Sequence, residues 1–483
     1  MNVIVGGGVV GLSIAWRLAR AGLPVTVVDP APGRGASYAA AGMLAPVSEV
    51  AYTEEPLLRL GAASLRRWPS FAAELAADAG LDGGFGTGLD SGSGAGPGGF
   101  GVRPGGGFGR VSGGAGPMEA ARRGLDLRAD GTLDVAFGAD DLAALDDLAA
   151  FMDKLGLRVE RLTGRECRRL EPMLAPSVRG GLLAPGDAWV DPRRVTAALL
   201  AALDRLGVPL VRARVAGLLR DGDTASGTGA GAEARADTVT DSVMGPATGA
   251  VVGVRLDPDP GQPDAAVREI AAERVVLAAG AWSGELAGVP VRPVKGQIMR
   301  LRSPQPLLGR CVRGTVHGAP VYLVPRGDGE LVLGATQEEL GFDTRVTAGG
   351  LHELLRDARE LVPGITELEV ADVVAGLRPG TPDNLPIIGA GEVPGLVLAT
   401  GHHRGGVLLA PLTAALITAA LTTPAVATPT LPTPTDATPT GATPTVVTAS
   451  PGAAGSVPGA GILTGEEGEL AVLCSPARFR DIS

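Results

Sequence analysis

The chain has 483 residues, including 74 glycines and 39 prolines, and a formal net charge of −10 at pH 7. An acidic chain without a basic run does not suit nucleic acid or an anionic membrane surface, so neither is expected as a partner. The glycine and proline content predicts that part of the chain is not packed into the fold.

The first 29 residues follow the order strand, glycine turn, helix and strand. A short apolar run leads directly into Gly6, Gly8 and Gly11, spaced as G-x-G-x-x-G, and an amphipathic segment follows. The next apolar run ends at Asp29, about 20 residues further on, as a dinucleotide fingerprint requires. Glycines at this spacing let the backbone and a helix N-terminus approach a pyrophosphate, and the acid can bind ribose hydroxyls. The segment therefore predicts a dinucleotide site.

A run of small residues, Ser37–Pro46, follows the predicted ribose acid. Bulky side chains here would collide with a planar ring, although a plain core helix remains the alternative. Helical periodicity continues at 55–79, 140–155, 192–206 and 349–361, and the third of these opens with Asp191 before Pro192, a capped helix start.

Three stretches lack helical or strand periodicity, and we expect them to be insertions that do not pack. They are the glycine-rich 82–117, the weak segment 222–249 and the Thr/Pro/Ala-rich 422–461. Strands are predicted at 210–215, 251–256, 274–278, 294–301, 321–325, 331–335 and 396–400.

These elements predict an α/β protein with a Rossmann-like dinucleotide domain and an inserted α+β substrate domain built on a mostly antiparallel sheet. The dinucleotide domain is assigned to 1–80, 140–220, 270–290 and 380–421, and the substrate domain mainly to 118–140 and 290–380. Residues 462–483 form a C-terminal segment.

Two more strands run into segments that begin with small residues. One runs from Arg274 into Ala279, Gly280 and Trp282, and another leads through Gly401 to Gly406 and a helix near Val407. A helix N-terminus beside a flavin would favour the negative charge that accumulates on reduction.

Location and redox state are predicted from three observations. The first strand begins at residue 2, which leaves no room for a signal peptide, and the apolar stretch 407–421 is short and interrupted for a bilayer span. We therefore expect a cytoplasmic protein. Cys167, Cys311 and Cys474 are far apart and odd in number, so they are expected to be reduced and structural, and no metal site is predicted.

Together these motifs resemble the glycine oxidase branch of the FAD-dependent D-amino acid oxidase family, the branch that serves thiamine biosynthesis. The resemblance covers about three quarters of the chain. The motifs that carry it are the opening fingerprint, Ala39–Pro46, Val291–Gln297, Tyr322–Arg326, Gly376–Thr381, Gly401–Gly406 and Ser475–Phe479.

The resemblance implies FAD as cofactor and assigns residues to its site. The expected FAD-binding residues are Gly6, Gly8, Val9, Val10, Gly11, Asp29, Ala40, Ala41, Gly42, Met43, Val215, Ala279, Gly280, Trp282, His403, Arg404, Gly405, Gly406 and Val407.

The resemblance also assigns catalytic and substrate-binding roles to Tyr322, Arg378 and Arg404. Arg378 is expected to bind the substrate carboxylate, because its planar fork pairs with a carboxylate through two hydrogen bonds.

Each assignment has an alternative. Arg378 could pair with Asp383, Tyr322 could be a core tyrosine, and Arg404 could neutralise a helix-end carboxylate or a flavin carbonyl. His402 and His403 fit a wet loop as well as a catalytic one, and Lys295 could reach the surface or the flavin.

Pro320 departs from the family pattern, since a histidine occupies that position in at least one member, and the nearest histidine in this chain is His317. This puts in doubt a proton relay through a histidine at this edge of the site.

The implied reaction is oxidation of glycine, and of sarcosine and small D-amino acids, by hydride transfer to flavin N5. The products are the imine or keto acid, ammonia and hydrogen peroxide. Dioxygen is the expected acceptor, thiazole synthase a candidate partner for the glycine imine, and a homo-oligomer, commonly a tetramer, the expected assembly. The alternatives are a dehydrogenase of the same fold that uses another acceptor and a catalytically lapsed flavin-binding module.

Overall fold

The computed structural model describes residues 1–49, 54–81, 116–222, 249–258, 268–422 and 465–479. The three predicted insertions lie almost entirely outside these residues, so their predicted lack of packing stays a prediction.

The described residues form both strands and helices, numbered in chain order. The strands are β1 (Asn2–Val5), β2 (Val25–Val28), β3 (Met43–Leu44), β4 (Thr132–Ala136), β5 (Glu160–Thr163), β6 (Gly180–Ala184), β7 (Ala188–Trp189), β8 (Leu210–Val211), β9 (Val215–Arg220), β10 (Val251–Leu256), β11 (Glu269–Ala271), β12 (Arg274–Leu277), β13 (Arg292–Arg302), β14 (Cys311–Val316), β15 (Ala319–Pro325), β16 (Glu330–Gly334), β17 (Glu369–Gly380), β18 (Ile387–Ala390) and β19 (Leu396–Thr400). The helices are α1 (Val9–Arg20), α2 (Ala36–Ala39), α3 (Glu55–Ala79), α4 (Pro117–Leu125), α5 (Ala139–Lys154), α6 (Gly164–Leu170), α7 (Pro192–Arg205), α8 (Ser283–Ala287), α9 (Ala348–Leu361), α10 (Gly406–Thr422) and α11 (Glu466–Leu473).

A six-stranded sheet in the order β18-β19-β12-β1-β2-β8 carries the opening fingerprint. Its pairs are parallel except β18 with β19, and Ile4 at its centre lies between Val27 and Val276. Strands buried on both faces are composed mainly of apolar residues, as β1 and β2 are. The Rossmann-like part of the predicted fold is confirmed.

A second sheet has eight strands in the order β17-β13-β16-β15-β14-β4-β6-β5. Its pairs are antiparallel except β14 with β4, which confirms the predicted mostly antiparallel sheet. The arrangement differs from the predicted domain division, because β5 and β6 lie in this sheet although 140–220 was assigned to the dinucleotide domain. β6 reads Gly-Gly-Leu-Leu-Ala without alternation, and its place depends on pairing with β4 and β5.

The apolar helix α10 packs against α1 and α3 in the core of the dinucleotide domain. Together with the short turn before it, the stretch 403–422 is, within the described residues, the one helix long and apolar enough to cross a membrane, with a mean hydropathy of 1.8. By length and composition alone, the prediction that this stretch is too short to span a bilayer is therefore wrong. Since 67% of its most apolar window is buried inside the fold, a core helix explains the same composition.

The C-terminal helix α11 docks on α3 through three ion pairs between arginines of α3 and glutamates of α11. The pairs are Arg59 with Glu469, Arg66 with Glu466 and Arg67 with Glu467. Beyond α11, the carbonyl of Cys474 accepts a hydrogen bond from the Ile388 amide. All three cysteines are free and buried, and burial raises the pKa of the Cys474 thiol to about 12.

Candidate functional site

A cavity of about 1570 Å³ lies between the two sheets. Its walls come from the carboxyl ends of β1, β12 and β19 and from one face of the eight-stranded sheet. Ligands of open α/β sheets bind outside the carboxyl ends of the strands. The cavity is therefore the candidate site.

The fingerprint glycines form one end of the cavity. Gly6 has a φ of +110°, and a Cβ there would lie 2.3 Å from the Ala278 oxygen. Gly8 and the start of α1 at Val9 and Val10 line the cavity, so the helix N-terminus would face an anion bound there. Gly11 does not line it, because a Cβ there would lie 1.9 Å from the Gly6 oxygen. The third glycine thus permits close packing of helix and strand rather than ligand contact.

Asp29 lines the cavity at the end of β2. Its Oδ2 accepts a hydrogen bond from the Gly7 amide at 2.7 Å, and its Oδ1 accepts one from the Ala31 amide at 2.7 Å. Each carboxylate oxygen has a second lone pair available for a ribose hydroxyl. Val215, at the start of β9, lines the same part of the cavity.

The segment Ala39–Met43 forms a second wall. Gly42 has a φ of +82°, and a Cβ there would lie 2.0 Å from the Val190 oxygen. The buried Arg326 holds this segment, because its Nη1 donates to the Val190 oxygen at 2.9 Å and its Nη2 donates to the Ala41 oxygen. Arg326 belongs to a motif that carries the family resemblance, yet its supporting role follows only from these contacts.

The third wall combines Ala279, Gly280 and Trp282 with the start of α10 at Gly406 and Val407. Gly280 has a φ of +57°, and a Cβ there would meet no atom within 4 Å, so its backbone borders open space. Gly405 is buried and does not line the cavity, because its Cβ position lies against the Leu409 side chain.

His402 is buried in this wall, so the interpretation of a wet loop is wrong for it, whereas His403 is half-buried at the cavity. His402 is buried, and its Nε2 lies 2.9 Å from the Thr413 hydroxyl. Burial lowers the pKa of His402 to about 3. His403 lines the cavity, and burial, reinforced by Arg404, lowers its pKa to about 4. Both imidazoles are therefore neutral near pH 7.

Arg404 lines the cavity but also has a carboxylate partner. Its Nη2 pairs with Glu54, the residue before α3, and donates to the Glu49 backbone oxygen at 3.2 Å. Of the alternatives for Arg404, the structure shows the ion pair with a helix-end carboxylate, which is that of Glu54. The same Glu54 carboxylate accepts a hydrogen bond from Asn384 at 2.8 Å.

Arg378 and Tyr322 meet at the other end of the cavity. The Arg378 guanidinium lies over Gly296, where a Cβ would come within 2.3 Å of Nη1, and Nη1 donates to the Thr336 oxygen at 3.2 Å. Burial raises the pKa of Tyr322, and the nearby Arg378 opposes that rise. The alternative partner Asp383 is bound instead to Arg478, and Arg378 has no ion pair among the described residues.

Lys295 neither reaches the surface nor lines the cavity. Its side chain is fully buried, and Nζ lies 3.4 Å from carboxylate oxygens of both Glu338 and Asp343. The ion pairs hold the segment after β16 against β13, which is a structural role. His317 pairs with Asp357 at 2.9 Å and does not line the cavity, whereas Pro320 does.

A charged group beside Tyr322 belongs to none of the sequence motifs. Arg313 and Glu49 line the cavity there, and Arg313 donates to the Ser48 oxygen at 2.8 Å. Behind them the fully buried Asp187 accepts hydrogen bonds from the amides of Val47 and Ser48. Asp187 therefore fixes the turn that presents Glu49. Asp187 lies 140 residues from Val47 along the chain. Spacing in the sequence does not distinguish such a supporting acid from an acid at the surface.

Asp187 predicts a pH-dependent stability. Burial raises its pKa from 3.8 to about 6, although the Ser48 and Val47 hydrogen bonds oppose the rise. The folded state thus holds the proton more tightly, so this contribution is complete below about pH 4 and is lost as the pH rises through about 6. Wild type is expected to lose up to about 3 kcal/mol of unfolding free energy relative to Asp187→Asn between about pH 4 and pH 7. Urea denaturation of both proteins at the two pH values measures the difference, and a constant difference would contradict it.

The walls fit FAD. Small residues and backbone border a continuous space that runs from the N-terminus of α1 to Arg378, and the N-terminus of α10 faces the same space. Within the described residues no cluster of three His, Cys, Asp or Glu side chains could hold a metal ion. The fold and cavity define a flavin dinucleotide-binding oxidoreductase.

The comparisons with known proteins agree. The family model described as FAD dependent oxidoreductase matches residues 2–89 and 118–420. The chain belongs to this family of FAD-dependent oxidoreductases. FAD is its cofactor.

The chain is 31% identical to a glycine oxidase of Geobacillus kaustophilus over 422 residues, 86% of this chain and 90% of the relative. The crystal structure of glycine oxidase from that organism superposes with a TM-score of 0.65 and covers 86% of this chain and 92% of the other. The chain is also 32% identical over 424 residues to the bifunctional protein ThiO/ThiG of Trichormus variabilis. The match spans 86% of this chain and about half (51%) of that relative.

Proposed function

We propose that the protein oxidises glycine and other small amino acids, with Arg378 as the anchor for the substrate carboxylate. The observation that supports this most directly is a cavity-lining guanidinium that has no acidic partner among the described residues and donates to the Lys295 and Thr336 backbone oxygens. A half-buried arginine without an acidic partner is costly, and a carboxylate ligand in bidentate contact offsets that cost.

The chain's own groups orient the substrate and exclude water. On this proposal Tyr322, on β15 beside Arg378, donates to the same carboxylate, and its raised pKa keeps the hydroxyl protonated. His403 is neutral and adds no charge near the reacting carbon. When bound, FAD supplies the two-electron acceptor. With dioxygen as the final acceptor, glycine, dioxygen and water give glyoxylate, ammonia and hydrogen peroxide.

The names of the bifunctional relatives support a link to thiamine biosynthesis. On this proposal the imine formed from glycine passes to a thiazole synthase, and sarcosine and small D-amino acids are secondary substrates. The proposal further includes a cytoplasmic homo-oligomer, commonly a tetramer in this family.

The test is anaerobic mixing of the purified holoprotein with glycine while visible flavin absorbance is followed, and then admission of air. We expect bleaching, followed by recovery of absorbance and one hydrogen peroxide per glycine oxidised. Bleaching that recovers only with an added electron carrier would favour the dehydrogenase alternative. A flavin that stays oxidised with glycine, sarcosine and D-alanine would contradict the proposal and favour a lapsed site.

A further inference from the structure

The floor of the cavity carries an acidic side chain that the proposed mechanism does not use. The Glu49 side chain is 17% exposed and lines the cavity. Its nearest cationic atom is Arg313 Nη1, 3.9 Å from Oε1, beyond hydrogen-bonding distance. Across the part of the chain that the structure describes, the Glu49 carboxylate accepts no hydrogen bond.

The position of Glu49 is fixed by main-chain contacts on both sides. The Ser48 oxygen accepts a hydrogen bond from Arg313, and the Glu49 oxygen accepts one from Arg404. The Ser48 amide donates to the buried Asp187. The backbone is therefore held by three side chains while the carboxylate remains available to a ligand.

Sheet register places the neighbours of Glu49 and of Arg378 on opposite sides of Tyr322. Arg313, the neighbour of Glu49, lies directly opposite Tyr322, and Tyr322 lies directly opposite Gly334 on the next strand. Residues directly opposite in antiparallel strands project from the same face. Arg378 bonds to the oxygen of Thr336, two residues beyond Gly334. Arg378 and the Glu49–Arg313 pair thus lie on either side of Tyr322 in the cavity wall.

We propose that Glu49 binds the amino group of the substrate, so that the site selects zwitterionic amino acids over simple carboxylic acids. This inference rests on the proposed function, because Arg378 must hold the carboxylate. An ammonium or amine N–H donates to the Glu49 carboxylate, a charge-assisted hydrogen bond that acetate cannot form. Secondary amines that keep an N–H, such as sarcosine, retain the contact. The competing view is that Glu49 only balances the charge of Arg313.

The experiment compares glycine with acetate in Glu49→Gln and wild-type holoprotein. The glycine dissociation constant comes from the concentration dependence of anaerobic flavin reduction, and that of acetate from its perturbation of visible flavin absorbance. We expect Glu49→Gln to raise the glycine dissociation constant about 10- to 100-fold, which corresponds to the loss of one hydrogen bond to a charged group. Acetate is expected to bind no more weakly than to wild type, because removal of a negative charge cannot disfavour an anion.

Glu360→Gln is the matched control, since Glu360 is an exposed acid on α9 that does not line the cavity. It is expected to leave both constants unchanged. Glycine binding unchanged in Glu49→Gln, or equal losses for glycine and acetate, would overturn the inference. Should Glu49→Gln fail to retain FAD, the wild type decides, because the inference requires it to bind glycine about tenfold or more tightly than acetate.

Failure of the proposed function has a different signature. Arg378→Met must weaken the binding of glycine and of acetate alike, because each ligand has a carboxylate. An acetate dissociation constant that is unaltered in Arg378→Met would contradict the role of Arg378 as carboxylate anchor. The ratio of the glycine and acetate dissociation constants in Glu49→Gln tests only the contact between Glu49 and the amine.

Discussion

Arg378→Met is expected to raise the glycine dissociation constant by about 30-fold to several thousand-fold, since truncating one partner of a buried charge pair costs about 2–5 kcal/mol. FAD is expected to remain bound, because Arg378 lies on β17, away from the fingerprint glycines at the far end of the cavity. Methionine is chosen because it fills the volume over Gly296 without charge.

The measurement is a glycine titration by anaerobic flavin reduction, with flavin content determined on the same samples. Arg302→Met is the control, an exposed arginine at the end of β13 in the same sheet. It is expected to match wild type in glycine affinity. A glycine constant within about threefold of wild type in Arg378→Met would sink the carboxylate assignment, roughly 0.6 kcal/mol being too little for such a contact.

Gly42→Ala is expected to lower both protein stability and FAD affinity. The left-handed conformation costs a non-glycine residue about 1–2 kcal/mol, and forcing a methyl group into a packed site costs about 1–3 kcal/mol more. The added Cβ would lie 2.0 Å from the Val190 oxygen, a backbone atom that Arg326 also holds. To relieve this clash, the segment Ala39–Met43 must move into the cavity or away from it.

Gly22→Ala separates the two causes. Gly22 has a φ of +77°, close to that of Gly42, yet a Cβ there meets no atom within 4 Å. It is expected to lose only the conformational part, roughly 1–2 kcal/mol, and to bind FAD normally. Urea denaturation and fluorescence titration of the apoprotein with FAD measure both effects. Equal behaviour of the two variants would show that the contact with Val190 is unimportant.

Several site features were predictable because they are local in sequence. The fingerprint from Gly6 to Asp29 forms one wall through consecutive strand, turn, helix and strand, and the predicted helix 55–79 has the observed bounds of α3. Gly11 and Gly405 belong to the same motifs but face helix packing rather than the cavity. A sequence motif identifies the turn. Whether a given glycine in it borders the cavity or a packed helix depends on the three-dimensional fold.

The sequence by itself determined the dinucleotide wall, the family resemblance and most helices, because helical period and glycine spacing are read within one element. The tertiary structure alone decided which acids meet which arginines. Arg404 meets Glu54 across 350 residues, and Asp187 supports the turn before Glu49 across 140 residues. The same holds for β6, which takes its place in the second sheet through β4 and β5. The physical reason is that ion pairs and strand pairs depend on distance in space, and a single sequence records only distance along the chain.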